Sequence, residues 1–468
     1  MSNFIAAADI RRLFSSAMSK MYQQEVPLYS ELIQLVNDVN ANVLANDEEV
    51  KAQLTATGEL ARLDIERHGA IRLGLPAELA TMRRLFSVMG MYPVGYYDLA
   101  PAGVPVHSTA FRAIDADSLN VSPFRVFTSL LRLELIDNPT LREKAEAALH
   151  QRSIFTSRVI ELIEQFEKDG GLNQKDAEEF VNEALETFRW HDHSPVSKEL
   201  YEDLHRQHRL IADVVAFQGP HINHLTPRTL DIDEVQIGMS KRGITPKAVV
   251  EGPPRRKCPI FLRQTSFKAL EEEVKFKGPH GEEAGTHTAR FGEIEQRGVA
   301  LTLKGREMYD RMLNAAREKT GGAPTEANAK QYMKNLAESF IDFPDDYRAL
   351  YDQGLAFFYY QPNKQAAMQK LKNFAEDEVS IQNIAQLIDA GIVNLEPIVY
   401  EDFLPVSAAG IFQSNLGEGG QGHYDSQSNQ AIFETSLGAK VLDINEIYQK
   451  IQSESLIQCL TELKQLRD

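Results

Sequence analysis

Apolar residues recur three and four positions apart through residues 8 to 48, in DIRRLFSSAMSKMYQQEVPLYSELIQLVNDVN. That period predicts helix, and Pro27 divides it into two. A further helical stretch near 51 to 66 ends before HGAIRLG, whose alternation and two glycines predict a short strand. PAELATMRRLFSVMGM predicts a helix with proline in its first turn. YPVGYYDLAPAGVPVHSTAFRAI, rich in aromatics, glycine and proline, predicts strands and turns. Residues 126 to 190 read as helical, through PTLREKAEAALHQR, SRVIELIEQFEKDG and NQKDAEEFVNEALETFRW, and 197 to 210 as a further short helix.

The pattern then changes. LIADVVAFQGPHINHLTPRTLDIDEVQIGMSKRG predicts a strand through His224 and a helix to about Lys241. PKAVVEG, PIFLRQTSFKAL and THTARFGEIEQRGVALT are three strand candidates. Residues 220–300 therefore read as a strand-helix-strand-strand-strand unit. Helices return from 304 to 345, LAFFYYQP reads as an edge strand, IVNLEPIVYEDFLPVSAAGIFQSNLG as strand and turn, and NEIYQKIQSESLIQCLTELKQL as helix. The expected class is α+β: a sheet core decorated by many helices, with residues 1–468 forming one large body.

Composition narrows the function classes. The net charge of -17 argues against a nucleic-acid binder, although arginines in one pocket can still attract a small anion. No apolar stretch reaches about 18 residues, so no membrane span is expected. The N-terminal MSNFIAAADIRRLF lacks a basic leader before an apolar run, and Cys258 and Cys459 form no motif. A reducing cytoplasm is the expected compartment.

Two acids in THTARFGEIEQRG, Glu293 and Glu295, stand where a sheet usually hides valine or leucine. Histidine and carboxylate together are common ligands of divalent metals. His224 on the first strand of the 220–300 unit and Glu293 on its last can meet if those strands are neighbours. Strand parity sends His221 and His224 to opposite faces, but it leaves Glu293 and Glu295 on the same face and does not choose between them. His68 is a candidate third ligand. Arg72, four residues on, shares its side of a strand or helix and suits the carboxylate of an anionic substrate. Each residue also has a plain structural reading. The histidines can be buried and hydrogen-bonded, Arg72 can pair with Glu66, and the two acids can be solvated on a half-exposed sheet. The residue pattern alone leaves both a metalloenzyme and a large α/β protein of other role open.

FGEIEQRG is similar to the last metal-bearing strand of vicinal-oxygen-chelate dioxygenases, notably the hydroxyphenylpyruvate dioxygenase group, and NHLTPRTLDID resembles that superfamily's opening strand. By this resemblance the acid ligand is Glu293 and the histidine is His224. Over nearly its full length the chain resembles the bacterial 2-oxoadipate dioxygenase/decarboxylase family. The resemblance runs through MYQQEVP, LARLDIERHGAIRLG, MGMYPVGYYDLAPAGVPVHSTAFR, PFRVFTSLLRLELI, HINHLTPRTLDID, EGPPRR, LRQTSFKALEE, HTARFGEIEQRG and EDFLPVSAAGIFQSNL.

The resemblance implies a vicinal-oxygen-chelate-like core, a curved mixed β-sheet enclosing a metal site. It implies iron(II) held by His68, His224 and Glu293, with Arg72 on the far carboxylate of the substrate. Val406 and Ser407 would line the pocket, Ser407 as a hydrogen-bond donor. His107, Arg112 and Arg290 lie inside matched strings and are expected beside the pocket. The implied reaction converts 2-oxoadipate and O2 to 2-hydroxyglutarate and CO2, with neither nucleic acid nor membrane as partner. The alternatives are a zinc- or manganese-dependent isomerase or lyase of the same superfamily, and a non-catalytic protein with a vestigial site.

Overall fold

The computed structural model describes residues 4–322, 324–403 and 426–466. Helix α1 (Ala7–Glu25) buries Ile10, Phe14, Met18, Met21 and Tyr22, the spacing of one helical face. Val26 ends it, and Pro27 opens α2 (Pro27–Asn46), where its missing N–H costs nothing. The periodic 8-to-48 segment is thus two helices split at Pro27.

Among the described residues the largest sheet has five strands: β1 (Arg67–Leu73), β2 (Tyr92–Asp98), β3 (Val106–Arg112), β4 (Arg125–Leu131) and β5 (Leu225–Pro227). Their order is β2-β3-β4-β1-β5. The β1–β4 pair is parallel and the other pairs are antiparallel, so the sheet is mixed and the class is α+β. Every residue of β1 and β4 is buried. Side chains alternate across β1: Ile71 and Leu73 enter the core built on α1, while Ala70 packs on the opposite side with Phe127 and Phe403. By the same alternation His68 and Arg72 share the side of Ala70.

Strand β4 corrects the helical reading of 126 to 190. RVFTSLL is a short, nearly continuous apolar run, which periodicity cannot separate from a buried helix segment; only after Asn138 do helices take over.

The 220–300 region also departs from expectation. It contains β5, the helix Ile232–Lys241, and then four strands: β6 (Leu262–Ser266), β7 (Glu271–Gly278), β8 (Gly281–Thr288) and β9 (Glu293–Arg297). PKAVVEG makes only isolated bridges, at Pro246 and Glu251. His224 lies just before β5 rather than within a long strand. β6 pairs with β9 and β7 with β8, while β9 reaches β5 through Thr229 N–H, which donates to Glu295 O at 2.8 Å.

A close approach brings this region onto β1. A Cβ on Gly69 would meet Ile222 Cδ1 at 2.5 Å, so glycine lets the 222–225 segment lie against the strand. Within the region, Gly292 lets the Phe267 ring pack beside Glu293, where an added Cβ would meet it at 2.3 Å.

Candidate metal centre

His68 enters from the start of β1, His224 from the irregular segment before β5, and Glu293 from the start of β9. All three are buried, and one ligand atom from each lies within 4.8 Å of the others. His68 Nε2 is 3.0 Å from Glu293 Oε1, and His224 Nε2 is 3.7 Å from the same oxygen. Thr226 Oγ1 and Gln264 Nε2 each donate to Oε1 at 3.1 Å.

The segment that carries His224 is tied down. Asn223 N–H donates to Ala70 O on β1 at 3.1 Å, and Phe291 N–H donates to Asn223 O at 3.1 Å. The Tyr22 hydroxyl of α1 lies 2.9 Å from Asn223 O and 2.8 Å from Phe291 O, so one hydroxyl proton is shared between the two segments bearing His224 and Glu293. The Phe403 ring stands 4.8 Å from His68 and the Phe291 ring 4.9 Å from His224, which restricts rotation of both imidazoles.

The two strand acids are buried, not solvated, at 1% and 0% exposure, which overturns the outer-face reading. Glu295 faces the same side as Glu293, and its Oε2 lies 3.0 Å from His68 Nδ1. That is an ion-pair contact rather than an aligned hydrogen bond, since Nδ1 lacks a hydrogen-bond partner. Arg297 donates to both oxygens of Glu295, at 2.7 and 2.8 Å. Behind them Arg125 reaches Glu66 and Glu401, Arg228 pairs with Glu59 and Glu66, and Arg62 with Glu401. Such a buried lattice adds little net stability but costs several kcal/mol to break, so it fixes geometry.

Protonation follows from these neighbours. Burial pushes His224 down to about 4, against the pull of Glu293, so its imidazole is neutral at neutral pH. Burial also works against charge on His68, but Glu295 and Glu293 outweigh it and hold its value up. For Glu293 burial is again the largest effect, outweighed by His224 and His68, which keep it below the usual carboxylate range.

A divalent metal fits these residues. Glu293 Oε2 and His224 Nδ1 are buried without hydrogen-bond partners. An unpaired buried polar atom costs on the order of 1–3 kcal/mol, which coordination of the carboxylate would offset. Two imidazoles and one carboxylate suit iron, zinc or manganese.

Arg72 sits on β1, and its Nη1 donates to Asp213 Oδ2 at 2.6 Å; Asp213 Oδ1 in turn contacts His221 and His287. His221 thus belongs to a different cluster from His224. Arg112 pairs with Asp402, Arg290 pairs with Glu25 and Glu272 over the Trp190 ring, and His107 packs between Tyr96 and Phe433. Val406 and Ser407 lie outside the described residues. A separate cavity of about 770 Å3, lined by Asn42, Arg228, Asp231, Arg256, Arg263 and Arg297 among others, includes none of the three converging residues. Among the described residues no helix is long and apolar enough to cross a membrane.

The residue pattern gives no role to Tyr22 or Asp213, and it leaves Glu295 level with Glu293 as a candidate acid ligand. Asp213 did carry a signal, an acid inside the apolar run LIADVVAF.

Comparisons with known proteins agree with one another. A family model described as 2-oxoadipate dioxygenase/decarboxylase matches residues 14–415. A 2-oxoadipate dioxygenase/decarboxylase of Pseudomonas putida is 59% identical over 462 residues, covering 99% of this chain and 98% of the relative. One of Escherichia coli is 55% identical over 461 residues, covering 98% and 99% respectively. The crystal structure of the hydroxyglutarate synthase in complex with 2-oxoadipate from Pseudomonas putida superposes with a TM-score of 0.91 at 57% identity, covering 99% of this chain and 100% of that one.

Proposed function

The chain belongs to the 2-oxoadipate dioxygenase/decarboxylase family, and on that premise we propose that it is an iron(II)-dependent enzyme converting 2-oxoadipate and O2 to 2-hydroxyglutarate and CO2. The observation that carries the reading is the convergence of His68, His224 and Glu293, with Arg72 on the same side of β1. The reading takes the whole chain as one catalytic body, in which the 220–300 region contributes two of the three ligands.

His68, His224 and Glu293 would hold the metal. Bound there, iron(II) with open positions would bring a 2-oxo acid together with dioxygen. The protein prepares that site in three ways. It keeps His224 neutral and Glu293 ionised, the states in which both can ligate. Glu295, locked by Arg297, attracts the Nδ1 side of His68 and so favours Nε2 as the ligating atom. Burial beside Phe403 and Phe291 limits bulk water.

Arg72 lies four strand residues from His68, about 13 Å along the backbone. It would bind the far carboxylate and thereby orient the keto-acid end toward the metal ligands. A substrate without that carboxylate leaves the guanidinium short of its partner, which disfavours binding. Val406 and Ser407 would complete the pocket.

Oxygen uptake by the iron(II)-loaded protein with 2-oxoadipate, coupled to product identification, tests the proposal. Atom balance requires one O2 consumed for each CO2 and each 2-hydroxyglutarate formed. Turnover of 2-oxo acids without oxygen, supported by zinc or manganese, would overturn it in favour of an isomerase or lyase.

A further inference from the structure

Arg72 is held from behind. Asp213, on the helix Arg209–Val215, takes Arg72 Nη1 on Oδ2 at 2.6 Å. Its other oxygen, Oδ1, lies 2.9 Å from His287 Nε2 and 3.2 Å from His221 Nε2. Beyond His287, the Tyr201 hydroxyl lies 3.0 Å from Nδ1, a contact that holds the ring with Nε2 toward Asp213. The His221 ring stands edge-on to Trp190 at 4.7 Å, and His287 packs 4.5 Å from Phe217. Asp213, His221 and His287 are all buried.

We infer that Asp213 is a positioning residue: clamped between His221 and His287, it fixes the Arg72 guanidinium and so sets the length of dicarboxylic 2-oxo acid that the centre accepts. The inference rests on the reading that Arg72 takes the far carboxylate.

The same three residues have the composition of a second metal site. The local chemistry favours the clamp instead. One Asp213 oxygen is engaged by a guanidinium, and a dication beside that group would be repelled. His287 Nε2 can donate its N–H to the other oxygen, and Asn223 Nδ2 lies 3.2 Å from His221 Nε2, so the atoms that would ligate a cation already have hydrogen-bond partners.

A guanidinium held on a long, flexible stem would follow the carboxylate of a shorter acid. Held by Asp213, it stays at one distance from the metal ligands. Selectivity between acids differing by one methylene is therefore placed in a residue that touches neither acid.

The test compares kcat/KM for 2-oxoadipate and for 2-oxoglutarate, one methylene shorter, in the iron-loaded parent, Asp213→Asn and Arg72→Ala. Asp213→Asn is expected to lower the preference for 2-oxoadipate about 10-fold or more, with iron content per chain unchanged. A merely structural role would lower both values together and leave the ratio intact, which would overturn the inference. So would a second metal ion per chain that disappears in Asp213→Asn.

If Arg72→Ala turns over 2-oxoadipate as the parent does, the reading of Arg72 itself fails. If Arg72→Ala loses 2-oxoadipate turnover while Asp213→Asn keeps the parental ratio, only the role of Asp213 fails. Should Asp213→Asn not fold, His287→Gln and Tyr201→Phe carry the test, each expected to narrow the same ratio. An unchanged ratio in both would refute the clamp.

Discussion

Glu295 Oε2 lies 3.0 Å from His68 Nδ1, across the imidazole from Glu293, which meets Nε2 at the same distance. Two acids spaced i and i+2 on β9 thus bracket one histidine ring of β1. Their neighbours separate their roles. Arg297 occupies both oxygens of Glu295 and, outweighing burial, holds its carboxyl well below the usual range. Glu293 keeps Oε2 without a hydrogen-bond partner. One acid orients the ring, and the other is available to a metal.

Glu293→Gln is therefore expected to abolish metal retention, whereas Glu295→Gln keeps the three ligands and weakens metal affinity by about 10–100-fold. Metal titration of both purified variants checks this. Equal retention by the two would mean that the assignment is wrong.

Much of this centre was legible in the sequence, and the reasons for the gaps are physical. Strand alternation puts His68 with Arg72, and that relation holds on β1; His221 and His224 do fall in different clusters, but on an irregular segment before β5 to which alternation does not apply. Alternation could not rank Glu293 against Glu295, because both point the same way; the difference lies in Arg297 and the unpaired Oε2, which are tertiary facts. β4 was read as helix because a fully buried strand loses its polar alternation. Tyr22 ties the two ligand-bearing segments together from 201 and 269 residues away, a contact no local pattern encodes.

Arg72→Lys keeps a positive charge but replaces the planar fork with a single ammonium. With Asp213 still taking part of that charge, kcat/KM for 2-oxoadipate is expected to fall about 100-fold, on the order of 3 kcal/mol, with metal content unchanged. Steady-state kinetics with metal analysis on the same preparation measures both. Parental kinetics would remove Arg72 from substrate recognition.

Glu251 supplies a pH-dependent prediction. Burial, aided by the nearby charge of Glu293 and opposed by Lys247, pushes its carboxyl up to about 7. A folded-state value raised above the ordinary 4.5 means that its contribution to stability is complete below about 4.5 and is lost as the pH rises through about 7. Glu251→Gln is neutral at every pH and escapes that loss. Metal-free Glu251→Gln is expected to gain ~1–3 kcal/mol over the parent at pH 8 relative to the difference at pH 4.5. Urea unfolding of both proteins at the two pH values measures it, and a pH-independent difference would contradict the assignment.

The proposed chemistry requires one ion among His68, His224 and Glu293. The most direct measurement is an anomalous difference map at the iron edge, from crystals loaded with iron(II) under anaerobic conditions. One strong peak per chain is expected, within coordination distance of a nitrogen of each histidine and an oxygen of Glu293. No peak there, or a peak only among Asp213, His221 and His287, would contradict the proposed chemistry.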